Sequence, residues 1–94
     1  MSSRYAFNKG LKELRFLFCH SSPHSDATRA FLKRAYPTMK KNNPYTPIMM
    51  REALDTEPRV FARYEMGKEK LEPLLGLTDK EIEEKVTTLV KGSI

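Results

Sequence analysis

The sequence predicts one α/β domain, a mixed sheet of about four strands with helices packed on it. Three observations support this. An apolar strand ending at Cys19 precedes a helical repeat, a second strand follows a crossover of the length that parallel pairing requires, and two further strands and a helix complete the chain. Its 94 residues suffice for one domain. We expect residues 1–10 to form a flexible basic segment and residues 11–94 to fold.

The first strand, Leu14–Cys19, carries apolar side chains on both of its faces. This pattern is typical of a central strand, so we expect helices or loops to cover it on both sides. Cys19 then opens a turn whose Ser22-Pro23 dipeptide suits the start of a helix.

The first helix is expected from about Ser25 to Lys41, because apolar residues repeat there at helical spacing. Pro37 lies inside this span and removes a backbone donor, which predicts a kink or an early stop. After Asn43-Pro44 breaks the helix, Thr46–Arg51 is expected to form the second strand, parallel to the first.

The third strand is expected over Pro58–Glu65, where Val60, Ala62 and Tyr64 alternate with more polar neighbours. Gly67 allows a hairpin turn, and Lys68–Leu74 can return as an edge strand.

The last helix begins with a capping box, in which Thr78 is the N-cap and Glu81 follows three residues later. Its buried stripe is expected to contain Ile82 and Val86, and Gly92 offers a left-handed stop.

The predicted order, strand, helix, strand and then strand, strand, helix, is that of thioredoxin-like domains. In such domains a reactive sulfur lies at a strand-to-helix turn, where the helix N-terminus lowers a thiol pKa. Cys19 takes that place, but Ser22 stands where a Cys-x-x-Cys pair has its second cysteine. Pro58 fits the place where thioredoxin-like folds have a cis-proline opposite the sulfur, and the sequence leaves the isomer of Pro58 open.

Composition narrows the class of protein. The net charge is +5, with basic residues crowded in the first helix and acidic residues in the last, so we expect one end of the molecule to be basic and to favour anionic partners. The chain has one cysteine, which excludes an internal disulfide. No apolar stretch approaches the roughly 20 residues that a bilayer span needs.

Several short motifs together resemble one family, the alpha-subcomplex subunit 2 family of mitochondrial complex I, the NADH:ubiquinone oxidoreductase. The resemblance covers roughly Leu11 to Lys91. The residues that carry it are Lys12-Glu13-Leu14-Arg15 ending in Cys19, Ser22-Pro23, Arg29, Asn43-Pro44, Pro47-Ile48, Arg51-Glu52, and Pro58 with Ala62-Arg63-Tyr64.

The resemblance implies a non-catalytic accessory subunit with a thioredoxin-like fold. It would be bound to other complex I subunits in the matrix arm, near the electron-input module, on the matrix side of the mitochondrial inner membrane. It implies no cofactor, no metal and no small-molecule substrate, and contact with the membrane only through the complex. Some relatives carry a second cysteine where this chain has Ala53, so a disulfide between that position and Cys19 is impossible here.

Three alternatives remain open. The wider family includes mitochondrial ribosomal proteins, and Arg59–Tyr64 interleaves arginines with aromatic residues as RNA-binding surfaces do. A monothiol redox protein would use Cys19 as its nucleophile, activated by the helix terminus and by His20 or His24. A metal site at these three residues lacks further ligands. Of these functions we favour docking on another protein over nucleic-acid binding, redox catalysis and metal binding.

Arginines are the candidate contacts for such a partner, because guanidinium pairs bidentately with carboxylates and tolerates interfaces better than lysine does. The candidates are Arg15, Arg29, Arg51, Arg59 and Arg63, and Cys19 is the thiol of interest.

Overall fold

The computed structural model describes Phe7 and residues 10–91. Its helices and strands follow the predicted order. They are β1 (Leu11–Phe18), α1 (Asp26–Asn42), β2 (Ile48–Glu52), β3 (Arg59–Tyr64), β4 (Glu69–Pro73) and α2 (Asp79–Lys91), with short 3₁₀ turns at Pro23–Ser25 and Glu65–Gly67. Most of the predicted flexible segment over residues 1–10 and the helix stop at Gly92 lie outside the described residues.

The strands form one mixed sheet in the order β2-β1-β3-β4. Strand β1 pairs in parallel with β2 and antiparallel with β3, and β3 pairs antiparallel with β4. The predicted central position of the first strand is therefore confirmed, as is the return strand. Gly67 joins β3 to β4 with a φ of +75°, a conformation that glycine adopts without steric cost.

The core lies between one face of the sheet and the two helices. Leu14 and Phe16 of β1 are fully buried, and the Phe16 ring lies 6.3 Å from that of Phe31 on α1. From α2, Ile82 and Val86 are buried against the same layer. Tyr64 fixes β3 to α2 because its hydroxyl donates a 2.6 Å hydrogen bond to the Leu89 carbonyl, and burial raises its pKa.

The expectation that β1 is covered on both faces is wrong for the described residues. Both helices pack on the same side of the sheet, and Arg15 and Leu17 on the other side are only half-buried. The connection between β2 and β3 has six residues, 53–58, and must pass the end of β1, a span of two strand spacings or roughly 10 Å. The connection is hydrogen-bonded to the end of β1, from the Ala53 N–H to the Phe18 carbonyl, so it follows the end of the sheet rather than its second face.

The early stop predicted as one outcome at Pro37 is wrong, because α1 continues to Asn42, and the alternative outcome, a kink, stays a prediction. Ala35 and Met39, on either side of Pro37, are buried in the core, whereas Pro37 itself is exposed. Packing of the inner face therefore holds the helix together while the backbone group that the proline leaves unpaired lies on the solvent side.

The capping box of α2 forms as predicted. The Thr78 N–H donates to Glu81 Oε1 at 2.9 Å, and the Glu81 N–H donates to Thr78 Oγ1 at 3.2 Å. Neither helix in the described part of the chain has the length and the apolar run that crossing a bilayer requires.

The basic helix and the acidic helix lie side by side rather than at opposite ends. Arg34 of α1 donates hydrogen bonds to Asp79 and Glu83 of α2, and these two carboxylates, Asp79 above all, raise its pKa. Part of the predicted charge separation is thus neutralised within the helix layer.

Candidate functional site

The Cys19 thiol lies at the end of β1, beneath the connection between β2 and β3. It is fully buried, and it accepts hydrogen bonds from the backbone N–H groups of Ser22 and Asp55, each at 3.3 Å. The same connection is tied to β1 by a 3.0 Å bond from the Ala53 N–H to the Phe18 carbonyl. The thiol therefore serves as an acceptor that joins two loops.

These hydrogen bonds lower the pKa of the Cys19 thiol below its usual value. The backbone N–H of Ser21 makes the largest contribution, and those of Ser22 and Asp55 add to it against the opposing effect of burial. Donors aimed at sulfur favour the thiolate over the thiol, which is the physical cause of the shift.

The turn after Cys19 is held by Ser25 and Arg29. The Cys19 N–H donates to Ser25 Oγ at 3.1 Å, so Ser25 supports the strand end instead of capping α1 with its side chain. One guanidinium nitrogen of Arg29 donates to the carbonyls of Cys19 at 2.6 Å and Ser22 at 3.1 Å, and the other pairs with Asp26. Arg29 thus has a structural role within the chain.

The two histidines do not converge on the thiol. His20 is exposed, and His24 is hydrogen-bonded through Nδ1 to Ser25 Oγ at 3.2 Å.

The second feature is the sheet face that neither α1 nor α2 covers, which we call the open face. Register places its side chains in three rows across the strands. The first row is Arg51, Leu17, Arg59 and Pro73, the second is Met49, Arg15, Phe61 and Leu71, and the third is Glu13, Arg63 and Glu69. Four of the five candidate arginines therefore lie on one surface, and Arg29 does not.

Glu13 organises the third row. Its side chain is nearly buried, with 10% exposed, and Oε1 accepts from Arg63 Nη2 at 2.7 Å while Oε2 accepts from Arg15 Nη1 at 3.3 Å. Arg15 also reaches Glu69 at 3.5 Å and lies 4.9 Å from the centre of the Phe61 ring. Two of the four arginines are consequently neutralised by carboxylates on the same face.

Arg51 and Arg59 differ from this pair. Within the described residues no carboxylate lies within ion-pair distance of either guanidinium. They flank Leu17 in the first row, so the uncompensated positive charge is concentrated at one end of the open face.

Glu13 and the exposed apolar residues Met49 and Leu71 belong to this surface but were not predicted from the sequence. A signal was present, since Glu13 and Arg15 are two residues apart and so share a strand face. Their relation to Arg63, which is 50 residues from Glu13, follows only from the pairing register.

On the other side of β2 a shallow groove of about 320 Å³ separates the strand from α1. Its apolar lining includes Leu32, Tyr36 and Met50, and it is spatially distinct from the open face.

Comparison with known proteins gives a consistent result. Residues 28–79 match the domain family described as mitochondrial ribosomal protein L51 / S25 / CI-B8. The NADH-ubiquinone oxidoreductase 10.5 kDa subunit of Neurospora crassa is 61% identical over 99% of both chains. NADH dehydrogenase [ubiquinone] 1 alpha subcomplex subunit 2 of Arabidopsis thaliana is 43% identical over 98% of this chain and 95% of its own length.

The mouse protein of that same name is 35% identical over 88% of this chain and 84% of its own. The resemblance seen in the short motifs is therefore confirmed along nearly the whole length of the sequence. The chain belongs to the L51 / S25 / CI-B8 family and, within it, to the branch of NADH dehydrogenase [ubiquinone] 1 alpha subcomplex subunit 2.

Proposed function

We propose that the chain is a non-catalytic accessory subunit of mitochondrial NADH:ubiquinone oxidoreductase. The observation that carries this proposal is the 61% identity with a subunit of that enzyme over 99% of both chains. We also propose that the chain lies in the matrix arm, near the NADH-oxidising module, and is peripheral on the matrix side of the inner membrane.

The fold is proposed to be thioredoxin-like. Support comes from the strand order β2-β1-β3-β4, with one parallel and two antiparallel pairings, and from the position of Cys19 between β1 and α1. Pro58, at the predicted place before β3, is buried, and its peptide bond is trans like the others in the described part of the chain.

The environment of Cys19 supports a structural use of the thiol. A nucleophilic sulfur must be reached by its substrate, and this one is fully buried beneath the segment that contains Asp55. Of the backbone N–H groups that lower the pKa of the thiol, those of Ser21 and Ser22 lie in the turn after β1 and that of Asp55 lies in the covering segment.

As a mechanism we propose stabilisation by mass action. A subunit that binds the assembled matrix arm but not its separated parts shifts the equilibrium toward the assembly, by about 2.7 kcal/mol when its free concentration is 100 times Kd. The open face gives the chain a surface for this binding, because its mixture of arginines and half-exposed apolar residues is typical of protein interfaces.

The test is to separate gently solubilised mitochondria on a native gel and to locate the chain by mass spectrometry. We expect it to migrate with NADH:ubiquinone oxidoreductase, and we expect deletion of its gene to lower the amount of intact matrix arm. Migration with ribosomal particles would instead favour the other branch of the family, and normal assembly without the chain would contradict the stabilising role.

A further inference from the structure

We infer that the open face receives an acidic segment of a neighbouring subunit, whose carboxylates meet Arg51 and Arg59 and whose apolar side chains lie on the exposed Met49 and Leu71. This inference rests on the proposed function, since the neighbour is a subunit of the same complex. It narrows the candidate arginines from five to two and states the chemistry of what they bind.

The positive charge on the open face is unevenly paired with carboxylates. Glu13 and Glu69 neutralise Arg15 and Arg63, so these four side chains form a network complete in itself. Arg51 and Arg59 have no such carboxylate among the described residues. Two positive charges on one row of the sheet therefore lack a compensating carboxylate within the described part of the chain.

The spacing of these two arginines lets one partner segment reach both. They lie on β2 and β3, the two neighbours of β1, in register with Leu17 between them. Two strand spacings separate their backbones by roughly 10 Å, so a single segment of a partner is long enough to reach both.

An apolar strip lies in the row next to that of the two arginines. Met49 and Leu71 are 37% and 50% exposed, and Phe61 lies between their strands in the same row. Methionine, aromatic residues and arginine are enriched where proteins meet, and burial of such side chains supplies the affinity that exposed ion pairs alone do not.

The open face suits a protein partner better than RNA. A phosphate backbone carries a charge at every nucleotide, so on this face it would meet the carboxylate of Glu69 as well as the arginines, whereas a protein segment can place its carboxylates at Arg51 and Arg59 alone. Phe61 is covered by the Arg15 guanidinium at 4.9 Å, so its ring is occupied rather than free to stack on a base. A patchwork of charge and apolar area fits a protein segment.

The experiment is a competition in mitochondria from cells lacking their own copy of the gene. Wild-type chain and an Arg51→Ala/Arg59→Ala variant, with different tags, are expressed together, and their ratio is measured in the purified complex. The control is Lys41→Ala/Lys80→Ala, which removes the same charge from the helical side. We expect the arginine variant to be depleted at least tenfold, roughly the effect of two interface arginines, and the control to stay within about twofold.

A second measurement identifies what lies on the face. A photo-reactive amino acid in place of Met49 is expected to cross-link to a complex I subunit at a peptide rich in Asp and Glu, whereas the same group at Lys80 serves as the control. Thermal unfolding of the purified double variant, expected within a few degrees of wild type, separates lost docking from lost folding. An Arg51→Lys/Arg59→Lys variant is expected to recover part of the incorporation, because it keeps the charge.

Equal incorporation of the double variant and the wild type would overturn the inference, as would cross-linking of Met49 to RNA or to a segment without acidic residues. If the wild-type chain itself is absent from the complex, it is the proposed function that fails. The two failures are therefore distinguishable within one set of gels.

Discussion

At the scale of single residues, the Cys19 thiol is a buried hydrogen-bond acceptor that joins two loops. Backbone donors from two loops converge on its sulfur and lower its pKa below that of an unfolded cysteine. A group with a depressed native pKa stabilises the fold at pH values above the unfolded pKa, and loses this contribution as pH falls through the native pKa.

We therefore expect a pH-dependent effect of Cys19→Ser. The stability difference between wild type and variant should grow as pH rises from the native thiol pKa to the ordinary thiol pKa of about 8.5. Urea unfolding of both proteins at a series of pH values measures it. A difference that is constant across the range would show that the thiolate has no part in stabilising the turn.

Glu13 is the other residue whose role follows from its position. Its carboxylate is nearly buried and accepts from both Arg15 and Arg63, whose own side chains are 33% and 50% exposed. Because solvent screens the arginines, we expect Glu13→Gln to lower the free energy of unfolding by about 1–2 kcal/mol, toward the low end for hydrogen bonds to charged groups. Chemical denaturation measures this.

The matched control is Glu69→Gln, since Glu69 is more exposed and makes one 3.5 Å contact with Arg15. We expect a loss of at most about 0.5 kcal/mol there. Equal losses at the two positions would mean that the burial of Glu13 is of no consequence for the open face.

At the scale of elements, Pro37 tests how helix α1 is held. The proline removes one helical hydrogen bond, while buried Ala35 and Met39 keep the inner face attached to the sheet. We expect Pro37→Ala to restore that bond and raise the free energy of unfolding by about 1–3 kcal/mol. Thr38→Ala, an exposed neighbour that changes no backbone donor, is the control, and urea unfolding gives the values.

The opposite result, a destabilised Pro37→Ala variant, would show that the proline stabilises the protein on balance. It would then act through the unfolded chain, by restricting its conformations.

The elements that the sequence predicted best are those whose signals are local. The α2 capping box connects residues three apart, and the turn between β3 and β4 is signalled by Gly67, which adopts a positive φ directly after Met66 does. For α1 the local signals conflict, because the apolar repeat predicts a helix to about Lys41 and Pro37 predicts a kink or an early stop. Which signal prevails depends on how Met39 packs against the sheet. The same limit applies to the open face, where the partner of Glu13 is set by the register between β1 and β3.

At the scale of the whole molecule, charge and architecture act together. The chain has a net charge of +5. Between the helices Arg34 pairs with Asp79 and Glu83, whereas on the open face no carboxylate of the described residues pairs with Arg51 or Arg59. A cationic row beside apolar side chains speeds encounter with an acidic partner and sets its orientation, and such association weakens as salt rises.

The one-sided architecture also predicts how the molecule opens. Strand β1 is bonded on both edges and carries Leu14 and Phe16 in the core, whereas β2 and β4 are the outer strands of the described sheet. Hydrogen exchange of the isolated protein should therefore be slowest in β1 and faster in β2 and β4, because edge strands detach without exposing the whole core. Incorporation into the complex should slow β2 and β4 more than the outer turns of α2, since a partner on the open face bridges all four strands. Exchange that is equally slow in every strand of the isolated protein would show instead that the sheet opens only as a unit.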